Sequence, residues 1–410
     1  MHLWMARSRL LKLAAVALIV AAAVVAIAQP GPGDYLTTGA TNADNSAPAI
    51  DALIEGDPQR AIDVQPAVGP LSVALRLPFA AAGRALGGAD GEYLFGAVAC
   101  LWALALLGAA LAARAHRLSD ERLTGPVVLL LVAANPAAIS AIDKGHPEDL
   151  IAAALATASI LLAARNRAAL TGLTLALAVA AKPWAALAGP VALLVLDQGH
   201  RRAIVAGALA AALLLVPPVL SNPERMSEAS RVLTEQPRVY AASAWWPLAE
   251  AHPAPPGVER PYVMPAGLTR SAGQTAILAI TAVLSLLYLR RRRELGVEAG
   301  LSLLAGLMLA RCLLDPLNLY YYGVPFLVAL VAWETHARRG IPVVSILASI
   351  ALWATVSPPA TNPALACALF LAWSVPAAAW LTLAPLRRSA RLVPARRKYD
   401  RTSDALARYT

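Results

Sequence analysis

Eight consecutive residues, Asp143-Lys144-Gly145-His146-Pro147-Glu148-Asp149-Leu150, place five ionisable side chains between two apolar runs. His146, Glu148 and Asp149 carry ligand atoms for a divalent ion, and charges at a membrane boundary are costly and usually retained for function. A polar turn joining two helices, with Asp149 as helix-start residue and Pro147 in the first turn, is the competing reading. Two further strings carry chemistry. Thr41-Asn42-Ala43-Asp44-Asn45-Ser46 precedes a short helical pattern, Ala49 to Asp57, broken by Gly56. Asp44 there is either a plain helix cap or a general base that takes a proton from a hydroxyl. In Arg311-Cys312-Leu313-Leu314-Asp315-Pro316, Arg311 either pairs with Asp315 one turn on or, with Lys182, binds a phosphate. Tyr321, Tyr322, Trp184, Trp245 and Trp246 read as an interfacial aromatic belt or as sugar-stacking faces.

The elements that position these residues follow from composition. Of 410 residues, 58% are hydrophobic and 15% charged, and apolar runs of bilayer-spanning length recur throughout. The fold class is therefore all-α, a polytopic transmembrane protein. Leu10 to Ala28 follows Arg7, Arg9 and Lys12 and lacks a small-residue cleavage site, so it is taken as a first span. Further spans are expected near 92–113, 123–142, 149–165, 168–181, 184–197, 202–220, 270–289, 297–314, 319–336, 341–357 and 363–384, about twelve in all. The stretch Val68 to Leu86 carries Arg76, Pro78 and Arg84 and is expected as interfacial helices whose arginines reach the headgroups. Residues 1–386 then form one domain, with an outer loop and interfacial helices at 29–91 and a second outer loop at 221–269. A basic tail follows at 387–410 and suits an anionic inner leaflet.

This threading puts most of the 35 Lys and Arg on one side and most of the 25 acids on the other. The positive-inside rule then places both termini in the cytoplasm of a multi-pass plasma-membrane protein, with Asp44, His146, Lys182 and Arg311 outside. The segments at 168–181 and 184–197 are too short for straight crossings, which leaves three readings: little tilt, lining of a cavity, or a broken pair around Lys182. The net charge of +10 belongs to this sidedness and does not imply nucleic acid. Cys100, Cys312 and Cys367 fall in separate apolar runs, which gives no disulfide or metal pattern. No phosphate-binding loop is present, so a cytoplasmic nucleotide sugar has no docking motif. No cofactor is expected, and a divalent metal is not favoured.

Asp44 in the first loop, Gly145-His146-Pro147-Glu148-Asp149-Leu150, Ala181-Lys182-Pro183-Trp184, and Arg311 with Asp315-Pro316 and Tyr321-Tyr322 occur in an order that resembles the GT-C superfamily of membrane glycosyltransferases. The nearest likeness is to the polyprenyl-phosphate-mannose-dependent alpha-1,2-mannosyltransferase branch of bacteria. The resemblance implies sugar transfer on the outer face, mannose first among candidates, from a polyprenyl-phosphate donor to an envelope glycolipid or glycan. It would make Asp44 the base and Lys182 and Arg311 the donor-phosphate partners. His146, Glu148, Asp149, Asp315, Tyr321 and Tyr322 would line the acceptor or substrate side. The chain departs from the usual pattern in having no aromatic beside Asp44 and in offering Asp34, Asp51, Asp57 and Asp63 as rivals. The reading from another class is a multi-span transporter or flippase for an envelope lipid or sugar.

Overall fold

In a computed structural model of the chain, the described residues are 44, 46–64, 69–119, 121–235, 237–251, 262–290, 295–356 and 362–406. The expected first span, the acids before Asp44 and part of the second outer loop lie outside them. The described chain is almost wholly helical, and its only described strands are Glu250–Ala251 (β1) and Tyr262–Val263 (β2), paired antiparallel. Among the described residues, six helical stretches are long and apolar enough to cross a membrane: Pro70–Leu118, Thr124–Asp143, His200–Ser221, Arg270–Leu289, Val297–Leu314 and Pro363–Leu386.

Two short helices come first, α1 (Ala47–Ile54) and α2 (Pro58–Asp63). Next, α3 (Pro70–Leu118) is a hairpin of two arms, because Gly87 and Gly88 leave helical geometry and Gly88 takes φ +64°. A left-handed residue at the turn favours glycine. The arms touch through Gly83 and Gly91: a Cβ on Gly83 would stand 2.1 Å from the Gly91 carbonyl oxygen. Small residues allow that approach where lipid supplies no hydrophobic drive between helices.

The stretch 124–143 is two helices, α4 (Thr124–Ala133) and α5 (Pro136–Asp143). Asn135 heals the break by accepting from the Ala138 amide at 2.8 Å and donating to the carbonyls of Leu131 and Val132. A broken helix in an apolar bundle needs such partners for its freed backbone groups. There follow α6 (Glu148–Ala163), α7 (Ala168–Ala181), a 3₁₀ turn Pro183–Leu187, α8 (Ala188–Val195), α9 (His200–Ser221) and α10 (Pro223–Thr234). At about 1.5 Å per residue α7 reaches only about 21 Å, short of a bilayer core. It packs tightly on α9, where a Cβ on Gly172 would meet the Ala203 carbonyl at 1.9 Å.

The last elements are α11 (Arg270–Leu289), α12 (Val297–Leu314), a 3₁₀ turn Tyr320–Gly323, α13 (Val324–Ala337), α14 (Val343–Val356) and α15 (Pro363–Leu406). Helices α6, α12 and α13 form the centre, with Leu301, Leu304, Leu309, Phe326 and Leu327 buried. By contrast α9 exposes Leu209, Leu213 and Leu220, as a lipid-facing helix does.

The turns separate to two ends of the bundle. At one end, Glu121 accepts from the Ile341 amide, and Ala164, Asn166 and residues 194–197 and 295–297 line a common cavity. Arg165, Arg167, Arg338 and Arg339 belong to the turns of this end, and Arg201 and Arg202 to the first turn of α9. The start of α6, the end of α7, the start of α11, the end of α12 and the turn before α13 meet at the other.

Candidate functional site

The site-bearing end is a buried polar network built from helix termini. Glu148 and Asp149 open α6, both fully buried, and Lys182 enters from the break between α7 and the 3₁₀ turn. Nζ of Lys182 lies 2.8 Å from Oε1 of Glu148 and 3.4 Å from Oδ2 of Asp149. Neither Glu148 oxygen accepts an aligned hydrogen bond among the described residues, so the contact is chiefly Coulombic. Burial by itself would lower the Lys182 ammonium, but Asp149 and Glu148 outweigh it and hold the group above its ordinary value. His146 Nδ1 stands 3.5 Å from Glu148, and its ring stacks on Tyr321 at 4.8 Å between centroids.

Asp149 also accepts from the indole N–H of Trp184 at 2.7 Å. The other face of the network is Arg311. Its guanidinium carbon is 5.0 Å from the Trp184 ring centre and 4.5 Å from that of Tyr322, and the side chain donates to the Tyr322 carbonyl at 3.4 Å. Arg311 is buried and has no carboxylate partner among the described residues. Two aromatic faces attract a desolvated cation by about 2 kcal/mol each, less than the several kcal/mol that burying the charge costs.

The alternative that pairs Arg311 with Asp315 fails because α12 ends at Leu314 and Asp315 turns away in extended conformation. Asp315 is instead held by Arg270 at the start of α11, through Nε at 3.0 Å and Nη2 at 2.7 Å. The same Nη2 reaches the Tyr322 hydroxyl at 3.1 Å, so Tyr322 stands between two guanidinium groups. The second loop closes over this corner. Ala244 N–H and the Trp245 indole donate to the last α12 carbonyls, Leu313 and Leu314, at 2.8 and 2.6 Å. Those carbonyls have no partner within the helix, so the loop supplies what the helix end lacks.

Asp44 lies in a neighbouring cavity of about 470 Å³ whose wall includes Asp51, Arg60, Arg76, Glu92 and Tyr93. Its carboxylate accepts from the Ser46 amide at 2.9 Å and from Arg76 Nη1 at 3.0 Å, while Arg76 Nη2 binds the second oxygen. The expectation that Arg76 reaches headgroups is therefore corrected: α3 folds back as a hairpin, and Arg76 is buried between its arms beside Gly96. Arg84 stays at the rim, 3.1 Å from Asp51 and 3.5 Å from Glu92. The elements that carry the cavity pack against those that carry the Lys182 network. Gly69 abuts the Ala180 backbone, and the Tyr93 hydroxyl donates to the Ile142 carbonyl.

His146, Glu148, Asp149, Lys182, Arg311, Tyr321, Tyr322 and Asp315 thus converge in one network, and Asp44 lines the cavity beside it. Arg270 and Glu92 escaped the sequence reading, and Arg76 was assigned to the headgroups instead of to Asp44. The signal available for Arg270 was a lone cation opening an apolar helix, and for Arg76 a cation among small residues in an apolar stretch. Ligand atoms of His146, Glu148 and Asp149 lie within 4.8 Å of one another. Lys182 already balances one of that cluster's two carboxylates, so a divalent ion there would compete with a built-in ammonium. Among known proteins, no family model, no curated protein and no solved structure matches this chain.

Proposed function

We propose that this protein is a membrane glycosyltransferase of GT-C type. In this reading it moves a sugar, mannose first among candidates, from a polyprenyl-phosphate donor to an envelope glycolipid or glycan acceptor at the outer face of the plasma membrane. About twelve spans with both termini in the cytoplasm complete the proposal. The observation that carries it is Arg311, a buried guanidinium held between Trp184 and Tyr322 with no carboxylate partner among the described residues. Such a group is a prepared seat for an anion at the membrane boundary, and the phosphate of a lipid-linked sugar is an anion delivered there.

The chemistry balances with this chain's own residues. An acceptor hydroxyl oxygen attacks the donor's anomeric carbon, and the bond from that carbon to the phosphate oxygen breaks. The hydroxyl proton passes to Asp44, and the electron pair leaves on the phosphate. Asp44 accepts two hydrogen bonds at one oxygen and one from Arg76 at the other, which leaves a lone pair for the acceptor. Arg311, with Lys182 beside it, stabilises the charge that gathers on the departing phosphate. A transporter would set its paired charges near mid-membrane, whereas Lys182, Arg270, Arg311 and Asp315 all stand at helix termini.

Purified protein in lipid nanodiscs, given a panel of radiolabelled polyprenyl-phosphate sugars and lipid acceptors, tests the reading. At least one donor should be consumed, and Asp44→Asn should abolish transfer while leaving donor binding intact. Arg311→Met should lower turnover by about a hundredfold or more, the cost of losing one preorganised charge-stabilising donor. If the wild-type protein neither binds nor consumes any donor, the transferase reading is wrong.

A further inference from the structure

The cavity beside the network has a charge pattern that selects what can enter it. Its cations are already spoken for. Arg76 is held by Asp44, Arg60 lies 2.6 Å from Glu55, and Arg84 lies 3.1 Å from Asp51, 3.4 Å from Glu55 and 3.5 Å from Glu92. The carboxylates of Asp44, Asp51 and Glu92 and the guanidinium groups of Arg60 and Arg76 line the cavity, and each of those cations has a carboxylate partner, the reverse of the seat at Arg311. Asp44, Arg76 and Glu92 are each more than nine-tenths buried. Nε of Arg76 has no hydrogen-bond partner among the described residues. At about 470 Å³ the space lies within the range of small-ligand pockets.

An anion finds no unpaired cation in this wall and meets the carboxylates of Asp44 and Asp51. A neutral ligand rich in hydroxyls meets no such penalty, since its O–H groups donate to spare carboxylate lone pairs and its oxygens accept from the remaining N–H groups. We propose that this cavity is a binding site for a neutral, polyhydroxylated ring, the terminal sugar of the acceptor, with Asp51 and Glu92 as its specificity-determining contacts. In the transferase this separates two tasks: the anionic donor head is held at Arg311, and the uncharged acceptor ring at the Asp44 cavity. The role as acceptor rests on the transferase reading. The binding itself does not.

Saturation-transfer NMR on the full chain in nanodiscs, with methyl α-mannoside, methyl α-glucoside and myo-inositol as neutral probes and inorganic phosphate as the anionic one, decides the matter. At least one neutral probe should give a saturable signal that phosphate leaves unchanged. The Asp51→Asn/Glu92→Gln variant should weaken it about tenfold or more, as the loss of one hydrogen bond to a charged group does. Ala89→Trp, at an exposed wall position where folding is not at stake, should block it sterically. No signal from any neutral probe, an unchanged signal in both variants, or displacement by phosphate overturns the proposal. Glycoside binding without donor turnover would sink the transferase reading alone, and donor turnover without glycoside binding would sink this one alone.

Discussion

Replacing Lys182 by methionine removes the only ammonium within 4 Å of two buried carboxylates among the described residues. The contacts are 2.8 Å to Glu148 and 3.4 Å to Asp149, and the Lys182 side chain is 12% exposed. At an effective dielectric of about 20, each attraction is about 5–6 kcal/mol, most of which repays the desolvation of the charges. The measurable loss on removing one partner from such a buried group is about 3–5 kcal/mol. A reconstituted protein titrated with denaturing detergent should therefore unfold at a clearly lower midpoint. Adding Glu148→Gln to Lys182→Met deletes the stranded charge and should recover part of the loss, so the double-variant cycle is strongly non-additive.

The pH dependence has a definite sign. In the wild type the raised Lys182 group contributes stability that is complete below its unfolded value, about 10.4, and is lost only above its folded one, so between pH 5 and 9 it adds no slope. In Lys182→Met the buried Glu148 carboxylate keeps its desolvation but loses its chief counter-charge, so it takes up a proton on folding. The folded state then binds more protons than the unfolded one, and stability rises as pH falls. Additive single and double variants, or a Lys182→Met protein whose midpoint does not move with pH, would refute the placement of Lys182 between Glu148 and Asp149.

Two further outcomes test the elements that build the site. Arg76→Met should lose about 3–5 kcal/mol by stranding Asp44, and the Arg76→Met/Asp44→Asn double variant should lose less; equal losses in a melting cycle would mean the two side chains do not pair. Gly83→Leu should lower the melting temperature by driving a side chain into the Gly91 carbonyl, at a cost of about 1–3 kcal/mol or more, and a wild-type melt would show that the α3 arms do not meet at Gly83.

Much of the site was legible because its carriers sit at apolar-run boundaries. Lys182, the 143–150 cluster and the Arg311 to Tyr322 string each interrupt hydrophobic sequence, and a chain that crosses back and forth must bring alternate boundaries to the same end. The short reach of 168–181 and 184–197 put a break at Lys182 among three readings, and the chain takes that one. Arg76 was misjudged for the opposite reason. A cation in an apolar stretch reads as snorkelling unless a distant carboxylate is known to meet it, and Asp44 is 32 residues away with the hairpin turn beyond.

By itself the sequence determined the helical class, the grouping of polar turns and the residue types available for chemistry, because hydrophobic run length and charge position are local properties of the chain. Only the tertiary structure decided who pairs with whom. Asp315 could go to Arg311 one turn away or to any cation brought near it, and the extended backbone after α12 gave it to Arg270. That choice left Arg311 facing two rings with no counter-charge, and the folding back of α3 put Asp44 against Arg76 inside a cavity. Such pairings depend on the close approach of segments far apart in sequence, and that approach is set by packing at small residues such as Gly83, Gly91 and Gly69.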